Sequence, residues 1–85
     1  MVYYASAEWC GPCKAFKPLV QATAAELGIQ VNHVDVDKNP DFAKQHGISS
    51  VPTLLVINPG TSQVAQRRSG AMSKAQLVQF LSSAR

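Results

Sequence analysis

Several common routes to stability and function are missing from this sequence of 85 residues. Cysteine occurs only twice, whereas a secreted disulfide scaffold would carry more, spread along the chain. Apolar runs fall short of the roughly 20 residues that cross a bilayer, so no membrane association is expected. The chain opens without the basic-then-apolar pattern of a signal peptide; with Met1 as the natural start, the cytoplasm is the expected compartment. Acidic residues number five against eight lysines and arginines, for a formal net charge of +3. The cations are scattered apart from Arg67-Arg68, with no basic stripe interleaved with aromatics, so no nucleic-acid partner is expected. Arg67-Arg68 reads instead as a charged hairpin edge that discourages strand pairing. Repeats, linkers and low-complexity stretches are also absent, which leaves a single domain over residues 1–85.

What remains is a globular composition, 46% hydrophobic, with clear periodic segments. Val2 to Ala7 reads as a first strand, apolar on both faces like a central strand. Phe16, Leu19, Val20, Thr23, Ala24 and Leu27 recur at helical spacing, with Gly28 as the stop and Pro18 as an internal break in the hydrogen bonding. Ile29 to Val36 reads as a second strand. Asn39 is the expected cap of a brief helix that Gly47 ends. Thr53 to Ile57 is a third strand, and the turn cluster Asn58-Pro59-Gly60-Thr61 joins it to a fourth, Gln63 to Arg68. Ser73 and Gln76 form a capping box before a last helix that buries Leu77, Val78, Phe80 and Leu81. The order β-α-β-α-β-β-α predicts an α/β fold: a mixed sheet of four strands with three helices on its faces.

The two cysteines, Cys10 and Cys13, stand three residues apart at the expected start of the first helix. A disulfide between them would contribute about 2 kcal/mol through chain entropy, the least of any loop length, so a structural staple explains them poorly. A redox role explains them better. The thiolate is the reactive form of cysteine, and unpaired N–H groups at a helix start favour an anion there. Cys10 is therefore the expected nucleophile on a disulfide. Cys13, one turn on, would attack the resulting mixed disulfide and release the reduced product. Gly11 and Pro12 keep the sulfurs within bonding distance, and Trp9 offers an apolar rim for docking. The bland alternative is half a zinc site completed by His33 or His46.

Trp9-Cys10-Gly11-Pro12-Cys13-Lys14 resembles the active-site signature of the thioredoxin family. The resemblance extends along nearly the whole chain: Glu8 before the motif, Pro18 in the helix, Asp35-Val36-Asp37 with Asn39-Pro40, Gly47-Ile48, Val51-Pro52-Thr53, and Gly70 with Ser73-Lys74-Ala75-Gln76-Leu77. It implies a dithiol–disulfide oxidoreductase that reduces protein disulfides, without a bound cofactor or metal, because the sulfurs carry both electrons. It implies a cis Val51–Pro52 bond, with Pro52 against the cysteine pair and the Val51 backbone free to pair with an extended client segment. Gly70 and Ala71 would complete the docking groove. The implied partners are thioredoxin reductase or a similar NADPH-linked reductase and disulfide-bearing client proteins, ribonucleotide reductase among them; the implied state is a monomer.

Departures from the family pattern shape the remaining expectations. The strand entering the motif begins at Met1, so the usual preceding strand and helix are not expected in this fold. The family places a buried Asp six residues before the first cysteine, as proton acceptor for the second; here Tyr4 stands there, a poor base at neutral pH. The lysine that pairs with that Asp is replaced by His33, and the usual aromatic four before the first cysteine by Ser6. Tyr4 is expected to donate a hydrogen bond near Cys13, and Lys14 to lie near the thiolate or on the solvated helix surface. Two alternatives stay open: a glutaredoxin-like, glutathione-dependent reductant, and a non-catalytic docking subunit.

Overall fold

The computed structural model describes residues 1–61 and 63–83. Seven elements follow in the order β1 (Val2–Ser6), α1 (Gly11–Leu27), β2 (Val31–Asp35), α2 (Pro40–Gln45), β3 (Thr53–Ile57), β4 (Val64–Ser69) and α3 (Lys74–Ser83). The strands form one sheet in the order β2-β1-β3-β4. The β1–β2 pair is parallel, while β1–β3 and β3–β4 are antiparallel. The sheet is thus mixed, as the parallel pair and the final hairpin expected from the sequence require.

Helix packing explains which strands are apolar throughout. One face of the sheet carries α1 and α3, whose Phe16, Val20, Leu77 and Leu81 close over Val2, Tyr4, Leu54 and Val56. On the other face of β1, the Tyr3 ring meets Phe42 of α2 at 5.2 Å between centroids. Strands β1 and β3 are central, and every residue of β3 is buried. Strand β4 is an edge, exposed except at Val64, and a register irregularity at Val56/Ile57 interrupts its pairing with β3. Arginines and irregularity are both devices that blunt an edge against further pairing.

Local sequence chemistry sets the ends of the helices. Gly28 takes φ +67°, a left-handed conformation that glycine adopts without strain, and its N–H and that of Ile29 bond back to Ala25 and Ala24. This stop claims Ile29, so β2 begins at Val31, later than the apolar run suggests. Ser73 Oγ accepts the Gln76 N–H at 3.2 Å while Gln76 Oε1 accepts the Ser73 N–H at 3.1 Å, the reciprocal pair of a capping box. Asn39 does not cap α2 through its side chain. Its amide turns back instead to the Asp35 carbonyl at 3.1 Å, because Asp35 organises this turn: its Oδ1 accepts the N–H groups of Asp37 and Lys38.

Candidate active site

The site grows from the junction of β1 and α1. The strand delivers Ala7, whose carbonyl accepts the Cys10 N–H at 3.1 Å. Cys10 keeps an extended backbone (φ −84°, ψ 105°) and is the N-cap of α1. Pro12 follows in the first turn, where a helix needs no N–H from it. Farther on, Pro18 stands inside α1 and offers no N–H to the Lys14 carbonyl.

Cys10 and Cys13 are joined by a disulfide, with their Cα atoms 5.3 Å apart. The Cys13 N–H also points at Cys10 Sγ, 3.1 Å away. A helix N-terminal amide thus donates to the first sulfur, and no acidic side chain in that turn offsets the positive end of the helix. That environment favours a thiolate at Cys10. With the disulfide closed, Cys10 is 4% and Cys13 2% exposed. They pack with Ala7 in a small apolar cluster to which Val36 and Val51 add their side chains.

Trp9 is 70% exposed, the most exposed large apolar side chain among the described residues. Its position is nevertheless held, because the indole N–H donates to Asp37 Oδ2 at 2.6 Å. Beside this contact Lys38 Nζ lies 3.2 Å from Glu8 Oε1. The loop after β2 therefore clips the loop before α1. Trp9 also stands at the rim of an open groove of about 230 Å³ that runs along Val36, Ala43, Ile48 and Val51. Sequence reasoning missed Asp37, Ala43 and Ile48 as parts of this surface. They lie 28 residues or more beyond Trp9 and carry no local signal of the contact.

The Val51–Pro52 bond is cis. Pro52 is buried, and its carbonyl accepts the Gly70 N–H at 2.8 Å, which ties the segment before β3 to the end of β4. Val51 of this turn packs against the cysteine cluster. Among the described residues, the Val51 N–H and carbonyl have no hydrogen-bond partner. Gly70, at φ +86°, and Ala71 are exposed beside this turn.

Behind the disulfide stands Tyr4, 0% exposed. Its Oη donates to the Cys13 carbonyl at 3.1 Å, and burial raises its pKa above the usual phenol value. Its ring meets Phe16 and His33 edge-on, at 5.9 and 5.5 Å. His33 and Lys14 are exposed, and both line a second cleft that reaches Cys13. His33 and His46 belong to no cluster of metal-binding side chains among the described residues.

Comparison with known proteins agrees with this arrangement. The thioredoxin family model matches residues 1–83. A thioredoxin of Chlamydia trachomatis is 40% identical over 77 residues, covering 89% of this chain and 74% of the relative. One from Acidithiobacillus ferridurans is 40% identical over 79 residues, covering 91% and 71%. Among solved structures, Fasciola hepatica thioredoxin superposes with a TM-score of 0.86 at 32% identity, over 99% of this chain and 79% of that one. Thioredoxin 1 of Thermosipho africanus shares the fold, with a TM-score of 0.81 at 23% identity, over 96% and 90%. The chain belongs to the thioredoxin family of dithiol–disulfide oxidoreductases.

Proposed function

We propose that this chain works as a single domain that reduces protein disulfides, with Cys10 as the attacking sulfur and Cys13 as the resolving one. The observation that carries the assignment is the Cys13 N–H donated to Cys10 Sγ at the start of α1. An amide at that place stabilises negative charge on Cys10 and on no other sulfur. The Cys10 thiolate attacks one sulfur of the client disulfide and expels the other as a thiolate, leaving a mixed disulfide. Cys13 then attacks Cys10, the ring closes, and the second client sulfur departs. Two electrons leave the dithiol and two thiols form on the client.

Docking is assigned to the surface around the sulfurs. Trp9, Gly11 and Pro12 form one side. Val51, Pro52, Gly70 and Ala71 form the other, where the free Val51 backbone supports pairing with an extended client strand. Lys14 stands on the exposed side of the first turn, near Cys10 in sequence. Thioredoxins generally work with thioredoxin reductase and with disulfide-bearing clients, and need no cofactor. For this chain the proposed donor is an NADPH-linked reductase, the proposed state a monomer and the proposed setting the cytoplasm; ribonucleotide reductase is one candidate client. Among the described residues no helix is long and apolar enough to cross a membrane.

The test is insulin reduction with two electron supplies, NADPH with thioredoxin reductase and NADPH with glutathione and its reductase. The expected result is turnover with the first. Turnover with glutathione alone would move the assignment to a glutaredoxin-like reductant. Turnover with neither, together with biological function in a Cys10→Ser, Cys13→Ser double variant, would make the chain a docking subunit.

A further inference from the structure

Cys13 must lose its proton before it can attack Cys10, and its surroundings offer few acceptors. A cleft of about 590 Å³ opens behind the active-site turn, lined by Cys13 itself with Glu8, Lys14, Lys17, His33, Asp35 and Lys38. Solvent therefore reaches the side of the molecule on which Cys13 lies. Lys14 and Lys17 from α1 and Lys38 from the loop after β2 are cations with no lone pair to offer. Glu8, before α1, is paired with Lys38 at 3.2 Å. Asp35 of β2 is engaged by the backbone, its Oδ1 accepting the N–H groups of Asp37 and Lys38. Tyr4 of β1 is committed as a donor to the Cys13 carbonyl.

His33 of β2 is the group left. It lines the same cleft as Cys13, and its ring is fixed edge-on against Tyr4 at 5.5 Å. We propose that His33 is the proton acceptor for Cys13, reached through solvent in the cleft behind the disulfide. Desolvation by burial, and then the charge of Lys17, hold its pKa below the usual histidine value, so the imidazole is neutral at pH 7 with a lone pair free to accept a proton. The inference rests on the reading of Cys10 as nucleophile and Cys13 as resolving cysteine. In the mixed disulfide, the Cys13 thiol gives its proton through solvent to His33. The Cys13 thiolate forms a bond to Cys10 Sγ as the bond from Cys10 to the client sulfur breaks. The client sulfur leaves with the electron pair and takes a proton from the imidazolium or from solvent.

Reaction of the reduced full chain with dithiobis(nitrobenzoate) separates the steps, because each attack releases one coloured nitrothiobenzoate. With Cys10 as nucleophile, Cys13→Ser keeps the fast first release and Cys10→Ser loses it, which tests that assignment separately; the second phase of the parent chain then tests His33. In the parent chain the second phase should rise with pH through the His33 titration and then level off. In His33→Gln the levelling should vanish, and the second phase at pH 7 should be about a hundredfold slower or more, with the first phase unchanged. Added imidazole should restore the rate. Lys17→Gln should move the parent inflection to higher pH, since it removes a charge that opposes protonation of His33. A His33→Gln variant with the parent's second-phase rate and pH profile would overturn the proposal. So would a slowed second phase that imidazole does not restore, the behaviour of a merely structural residue.

Discussion

Replacing Tyr4 by Phe removes one oxygen from a fully buried side chain and leaves the ring in its packing against Phe16 and His33. What is lost is the hydrogen bond to the Cys13 carbonyl, 3.1 Å long. That carbonyl lies in α1 and keeps a helical partner, so the change strands no buried acceptor. The cost is therefore that of one net hydrogen bond, about 1 kcal/mol. For a chain of this size it corresponds to a fall in Tm of roughly 4–8 °C. Activity should respond differently. A hydroxyl that only steadies the first turn of α1 costs turnover a few-fold at most, whereas removal of a general base costs about a hundredfold or more. The raised pKa of the buried phenol agrees, because at neutral pH it holds its proton. Urea unfolding of the oxidised protein measures the first quantity and insulin reduction at pH 7 the second. A Tyr4→Phe variant as inactive as Cys10→Ser would refute the reasoning, as would one with unchanged stability.

Two further outcomes follow from contacts remote from the sulfurs. Ser73→Ala removes the hydroxyl that accepts the Gln76 N–H and should cost about 1 kcal/mol in urea unfolding, with insulin reduction unchanged, since α3 only backs the core. Asp37→Ala frees the Trp9 indole; the pair is exposed, so stability should change by less than about 0.5 kcal/mol. Loss of one positioning hydrogen bond at the docking rim should instead raise the client KM by about two- to tenfold with kcat nearly constant, measured by steady-state reduction of a protein disulfide.

The parts of the molecule readable in the sequence are those governed by nearest neighbours. Strand and helix order, the Gly28 stop, the capping box at Ser73 and the Cys10 position at a helix start each depend on residues within a turn or two. The parts that were not readable depend on contacts across the sheet or between loops. Asn39 carries the side chain of a cap, yet the Asp35 turn competes for it and wins. Arg67 reads as a solvated edge residue, but its guanidinium crosses to the end of α2 and donates to the carbonyls of His46 and Gly47. The Trp9–Asp37 clip joins loops 28 residues apart, which no periodicity reveals. Tyr4 lies between these cases. Its offset from Cys10 placed it behind the site, but only the structure shows that its partner is the Cys13 backbone rather than the sulfur.

The division of labour between the sulfurs is the central claim, and a trapping experiment tests it most directly. Cys13→Ser, reduced and mixed with a disulfide-bearing client, should accumulate a mixed disulfide through Cys10, visible as a covalent complex on a non-reducing gel and located by mass spectrometry. Cys10→Ser under the same conditions should accumulate none, because Cys13 lacks the helix-terminal amide donated to Cys10 Sγ. Equal trapping by the two variants, or trapping only through Cys13, would contradict the account.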